Sequence, residues 1–134
     1  MKSKIINIIP VVQNKIFRQA IKFYLENLLS YSIINEASDF KDLLLKNNIG
    51  NADVIILEIN DNNYEMETAS QILLKIHDTK IIALSSYKDK IYLNEMKKKG
   101  FDATVFKNSI YDDLDSVIKK VVKNSKTYFT EAQF

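Results

Sequence analysis

The 134-residue chain has no cysteine, no tryptophan, one histidine, one proline and two glycines. Without cysteine, disulfides, thiolate nucleophiles and zinc–thiolate sites are excluded. A lone histidine leaves little for a structural transition metal, so no metal ligands and no catalytic residues are assigned. The two glycines, Gly50 and Gly100, lie far apart, so no glycine-rich loop is present to cradle a phosphate. No nucleophile–base pair stands out either, and a non-enzymatic role is expected. The net charge is only +2, from 19 basic and 17 acidic residues, too small to argue for nucleic acid or an anionic membrane. No apolar run approaches the roughly 18 residues that span a bilayer. The apolar opening, Ile5 to Val12, lacks a small-residue cleavage site and is broken by Asn7 and Pro10. It reads as a buried strand rather than a leader, and the chain is expected to be cytoplasmic. No Asp or Glu occurs before Glu26.

The remaining composition, 46% hydrophobic and 27% charged, is that of one ordinary globular domain. Short β-branched runs alternate with segments of helical period. Ile5 to Val12 is expected as the first strand, followed by a helix from Lys15 with Asn14 as N-cap. The apolar series Ile16, Phe17, Ala20, Ile21, Tyr24, Leu25 and Leu28 would form its inward face. Ser32 to Glu36 reads as a second strand. Ser38 would cap a helix with Phe40, Leu43 and Leu44 turned inward. Val54 to Ile59 is continuously apolar apart from Glu58, as suits a parallel strand buried on both faces.

Asp61 to Met66 reads as a polar loop, Thr68 to His77 as a helix and Lys80 to Leu84 as the fourth strand. A helix over Lys88 to Lys99 would end at Gly100, with the fifth strand at Ala103 to Phe106. Ser109 and Asp112 suggest a capping box for the last helix, striped by Leu114, Val117, Ile118 and Val121. Such alternation predicts a parallel sheet covered on both faces through right-handed crossovers. Pro10 is the discordant residue, since a central strand can ill spare an N–H; a bulge or an early strand end would reconcile it.

Ligands of such folds gather at the carboxyl ends of the strands. Those positions are Val12 and Gln13, Glu58, Ser85 and Ser86, and Lys107. With the strings "KIFRQAIKFYLE", "INEASDFKDLL", "ADVIILEIN", "KIIALSSY" and "GFDATVFKNS" in this order, the chain resembles the response-regulator receiver domain. It looks most like the receivers of LuxR-type transcription factors. The resemblance implies a flavodoxin-like, five-stranded parallel sheet in order 2-1-3-4-5 within a three-layer α/β sandwich. The receiver would span residues 1–124, with 125–134 starting a linker or tail, because "KTYFTEAQF" resembles the linker before a helix-turn-helix domain.

A working receiver holds Mg²⁺ on an acidic pair after the first strand and phosphorylates an Asp at the end of the third. A Ser or Thr and a Lys then bind the phosphoryl oxygens. Carried over, the acidic pair falls on Val12 and Gln13, the acceptor on Glu58, the hydroxyl on Ser85 and the lysine on Lys107. Asn60 falls where the family offers a carbonyl to the metal. The aromatic switch position is Thr104, and the proline after the lysine is Asn108. Mg²⁺ needs hard carboxylate oxygens, and none is available in any register of the first strand, so loss of Mg²⁺ and of phosphotransfer is expected.

Glu58 has two readings, a standing mimic of the phosphoryl charge or a polar residue merely kept satisfied. Both predict an ion pair with Lys107. At about 4 Å and an effective dielectric near 20 such a pair is worth about 4 kcal/mol before desolvation, which offsets much of it. The resemblance implies a phosphorylation-independent regulatory and dimerisation module of a LuxR-type regulator. Homodimers would form through the first and last helices or the Lys88–Lys99 helix, with any DNA-binding domain outside this chain. Tyr87, Tyr92 and Phe101 would be half-exposed near that helix. The alternatives are a phosphoreceiver using a displaced carboxylate such as Asp61, a stand-alone protein-interaction adaptor, and a small-molecule-binding domain.

Overall fold

A computed structural model describes residues 5–59, 78–86 and 90–123. Its strands are β1 (Asn7–Val11), β2 (Ser32–Ile33), β3 (Val54–Ile59), β4 (Lys80–Ser85) and β5 (Ala103–Phe106). They form one parallel sheet in the order β2-β1-β3-β4-β5, the order expected. The helices are α1 (Lys15–Phe23), continued by a π-helical turn at Tyr24–Leu28, then α2 (Phe40–Leu43), α3 (Lys90–Lys98) and α4 (Ile110–Lys123). The loop and helix expected over 61–77, and Asn60, Tyr87 and the tail 124–134, lie outside the described residues.

Period-two alternation sorts the strand side chains into two cores. Ile9, Val11, Ile55, Leu57, Ile81, Ala83 and Phe106 pack against Phe40, Leu43, Leu93 and Met96 on one face. Ile8, Val12, Val54, Ile56, Ile82, Leu84 and Val105 pack against Ile21, Leu25, Leu114, Val117 and Val121 on the other. Each such side chain, fully buried, contributes about 1.5–3 kcal/mol of transfer free energy, which is why the central strands carry so little polar sequence.

The sheet accommodates Pro10 without a break in β1, which continues to Val11 and stays registered against β3, Pro10 opposite Ile56. The carbonyls of Ile6, Ile8 and Pro10 accept from Ser32, Ile34 and Ala37 at 3.0, 3.2 and 3.1 Å, so these residues turn their polar groups toward β2. The missing proline N–H therefore falls on that side. There β2 has already left the ladder after Ile33, returning only for a bridge between Val11 and Ala37. The Ile34 carbonyl that would face it is satisfied by Asn48 Nδ2 at 3.1 Å. This shortens the second strand from the expected Ser32–Glu36 and moves the irregularity onto the partner of the proline strand.

Other boundaries shift for local reasons. Asn14 caps α1 as expected, its side chain accepting from the Phe17 N–H at 2.9 Å. The α2 cap is Asp39 rather than Ser38, with the Asp42 N–H at 2.7 Å. Gly100, at φ 96, ends α3 in a Schellman arrangement, the N–H groups of Gly100 and Phe101 reaching back to Lys97 and Met96. The last helix is entered through a 3-10 turn at Lys107–Ser109, which has no side-chain cap of its own. Phe101 is fully buried, contrary to its expected half-exposure, whereas Tyr92 is half-buried. In α1 only part of the apolar series points inward. Ile16 is 83% exposed and Leu28 66%, and Ala20 is exposed as well.

Candidate functional site

Glu58 leaves β3 on the face that carries Val54 and Ile56, and Lys107 begins the turn after β5. Three expected site positions meet at this edge. Lys107 Nζ lies 2.7 Å from Glu58 Oε2, and the Gln13 N–H donates to Glu58 Oε1 at 2.9 Å. The Glu58 side chain is 9% exposed and that of Lys107 27%, so the pair is screened by protein on most sides. Charge-assisted bonds of this kind are shorter and about twice as strong as neutral ones. The longer Glu side chain brings its carboxylate to both partners.

The remaining positions do not converge on Glu58. Val12 is buried in the core on the α1 and α4 side, so only its carbonyl reaches the edge. Gln13 is exposed and contributes its backbone. Ser85, fully buried, is registered against Ile59, on the opposite sheet face from Glu58. Thr104 is also fully buried, with its hydroxyl 4.0 Å from the Met96 sulfur. A buried threonine beside a thioether thus stands where the resemblance places an aromatic switch.

Val12 offers no side-chain oxygen, and both Glu58 oxygens are already committed to Gln13 and Lys107. Among the described residues, no three of His, Asp and Glu are grouped to hold a metal.

Sequence reasoning missed the residues that brace this edge. Arg18, the single arginine of the chain, donates from a terminal guanidinium nitrogen to the Val12 carbonyl at 2.7 Å and from Nε to Glu36 Oε1 at 2.7 Å. Lys22 Nζ lies 2.5 Å from Glu36 Oε2, and Gln19 Nε2 is 2.9 Å from Oε1. The Lys22 hydrogen bond, with Arg18 adding to it against the cost of burial, holds the Glu36 carboxyl below its usual range. One arginine among so many lysines was the available signal, since only its planar fork can serve two acceptors in fixed geometry.

A scan against known family models gives no match, and no curated protein sequence matches either. Solved structures do match. The isolated REC domain of RcsB from Salmonella enterica serovar Typhimurium superposes with a TM-score of 0.80 at 20% identity, over 92% of each chain. A LuxR-family two-component response regulator from Aurantimonas sp. SI85-9A1 gives 0.82 at 16% identity, covering 97% of this chain and 94% of that one. The response regulator domain of Thermotoga maritima CheB gives 0.77 at 17% identity, covering 90% and 98%. Against a longer Salmonella typhimurium RcsB chain, this chain spans 62% of the length. No helix among the described residues is long and apolar enough to cross a membrane. With the sheet order and these superpositions together, the chain has the fold of response-regulator receiver domains.

Proposed function

We propose that the chain is a receiver-type signalling module that works without phosphoryl transfer, its Glu58–Lys107 pair standing permanently where a phosphorylated side chain and its lysine would meet. The observation that carries this reading is the double engagement of the Glu58 carboxylate, by the Gln13 N–H at 2.9 Å and Lys107 Nζ at 2.7 Å. A carboxylate held this way is a weakened nucleophile, and phosphoryl transfer depends on metal-assisted charge neutralisation, for which no grouped carboxylates stand among the described residues. No Mg²⁺ requirement and no enzymatic reaction are assigned. Incubation of the full chain with acetyl phosphate and Mg²⁺, followed by intact-mass measurement and peptide mapping, tests it. No mass shift is expected. A phosphoryl adduct on Glu58, or on a displaced carboxylate such as Asp61, overturns it in favour of a working phosphoreceiver.

The wider role follows from the neighbours. Two RcsB dimers have been seen bound to two parallel DNAs, and a second match is a LuxR-family regulator. By extension, this chain serves as the regulatory and dimerisation module of a LuxR-type transcriptional regulator, with DNA contact assigned to a separate domain. The support within the chain is the outward apolar set Ile16, Phe23 and Leu28, joined by Tyr111 of α4. A chain that stays monomeric at high concentration would instead fit an adaptor for other proteins.

A further inference from the structure

A line of alternating charges crosses the carboxyl edge of the sheet. It starts at Lys22 Nζ, 2.5 Å from Glu36 Oε2, and passes from Glu36 Oε1 to Arg18 Nε at 2.7 Å. Arg18 then donates to the Val12 carbonyl at 2.7 Å. The N–H of that same peptide group, on Gln13, donates to Glu58 Oε1 at 2.9 Å, and Glu58 Oε2 meets Lys107 Nζ at 2.7 Å. One peptide unit is therefore gripped at both ends, a guanidinium on its oxygen and a carboxylate on its N–H. This is the orientation its own dipole favours, and hydrogen bonds in such series polarise one another. The participants come from α1, the segment after β2, and the ends of β1, β3 and β5.

We propose that this line is a conformational relay, coupling Arg18 on α1 to Glu58 and Lys107 through the Val12–Gln13 peptide. Two features place it on a route of use. Arg18 is only 13% exposed, so its guanidinium is held rather than solvated. The same helix carries the outward residues Ile16 and Phe23, so a partner that shifts α1 loads the relay at Arg18 and Lys22. The coupling holds whether or not the chain accepts a phosphoryl group, so its failure and the failure of the proposed function are read separately.

A double-mutant cycle on the full chain tests it, read as amide hydrogen exchange of Gln13 by NMR. Arg18→Met keeps the aliphatic stem and removes the fork, and Glu58→Gln keeps the shape and removes the charge. Each should speed Gln13 exchange, and the double variant should fall short of the product of the two factors by roughly fivefold or more. Effects that multiply to within about twofold overturn the relay. Asp115→Asn, whose carboxylate serves Tyr31 and Lys119, is the off-line control and should combine with Arg18→Met as an independent factor. Should Arg18→Met fail to fold, Arg18→Lys replaces it, keeping charge without the fork. The change in Gln13 amide shift caused by Glu58→Gln should then differ between the parent and Arg18→Lys backgrounds, and an equal change in both overturns the proposal.

Discussion

Glu58 illustrates how far a single position can be taken from sequence. Its place at the end of a buried strand and its pairing with Lys107 were legible, because strand ends and ionisable residues leave marks in the sequence. Its second partner was not, because a backbone N–H belongs to every residue but proline and carries no signature. The same limit hid Arg18, whose target is the Val12 carbonyl. Asp102 offers a residue-scale test of the electrostatics. It precedes β5 and accepts from the Ile81 N–H at 2.8 Å, and burial raises its carboxyl pKa more than that bond and the nearby Lys80 lower it. A raised folded-state value means stability that is full below the unfolded carboxyl range near ~3.9 and is lost as pH rises through the folded value. Asp102→Asn keeps an acceptor for Ile81 without the charge. Its thermal midpoint should gain on the parent between pH 4 and pH 7; a gap that narrows over that range contradicts the assignment.

Among the elements, those with apolar strand runs were placed to within a residue or two, because burial on both faces leaves no alternative pattern. Among the strands, the departure was at the sheet's edge. The second strand ended early because Asn48 takes over the Ile34 carbonyl, a contact between residues far enough apart that no local pattern encodes it. The outward half of α1 was misassigned because seven apolar residues on one short helix exceed what one buried stripe can hold. The Pro10 account makes a paired prediction. Asn48 also accepts from Asn35 Nδ2 at 2.9 Å, so Asn48→Ala removes two bonds and should cost about 1–3 kcal/mol in urea unfolding. Pro10→Ala alone should be slightly destabilising, by about 0.4–1 kcal/mol, through a freer unfolded chain. In the Asn48→Ala background it supplies a new N–H on the side of the bare Ile34 carbonyl and should recover part of the loss. Simple addition of the two costs would show that the proline does not face that carbonyl.

For the proposed dimer, the arrangement of exposed apolar surface weighs one candidate face against the other. On α3 the large exposed apolar residue is Ile91, 78% exposed, on a helix whose last turn carries Lys97 and Lys98. On the α1 side Phe23, Leu28 and Tyr111 line one concavity with Ala20 and Tyr24. There the rings of Tyr24 and Tyr111 meet edge to face at 4.8 Å, and the Tyr24 hydroxyl donates to the Tyr111 carbonyl at 3.1 Å. That side is thus preorganised as well as apolar. It is also complementary in charge, since Lys15 opens α1, which carries no acid, while α4 opens with Asp112 and Asp113. A two-fold axis that sets α1 of one copy against α4 of the next satisfies both, as an isologous contact requires. Phe23 is 60% exposed, so Phe23→Asp should leave the urea midpoint of the dilute chain nearly unchanged. A central aromatic anchor typically accounts for about 2 kcal/mol or more of association, so dimer association should weaken roughly thirtyfold in sedimentation equilibrium. Ile91→Asp, at a more exposed position and adding the same charge, should leave the proposed dimer intact. If Ile91→Asp dissociates it and Phe23→Asp does not, the interface lies on α3, and the apolar outer face of α1 must be explained by a different partner.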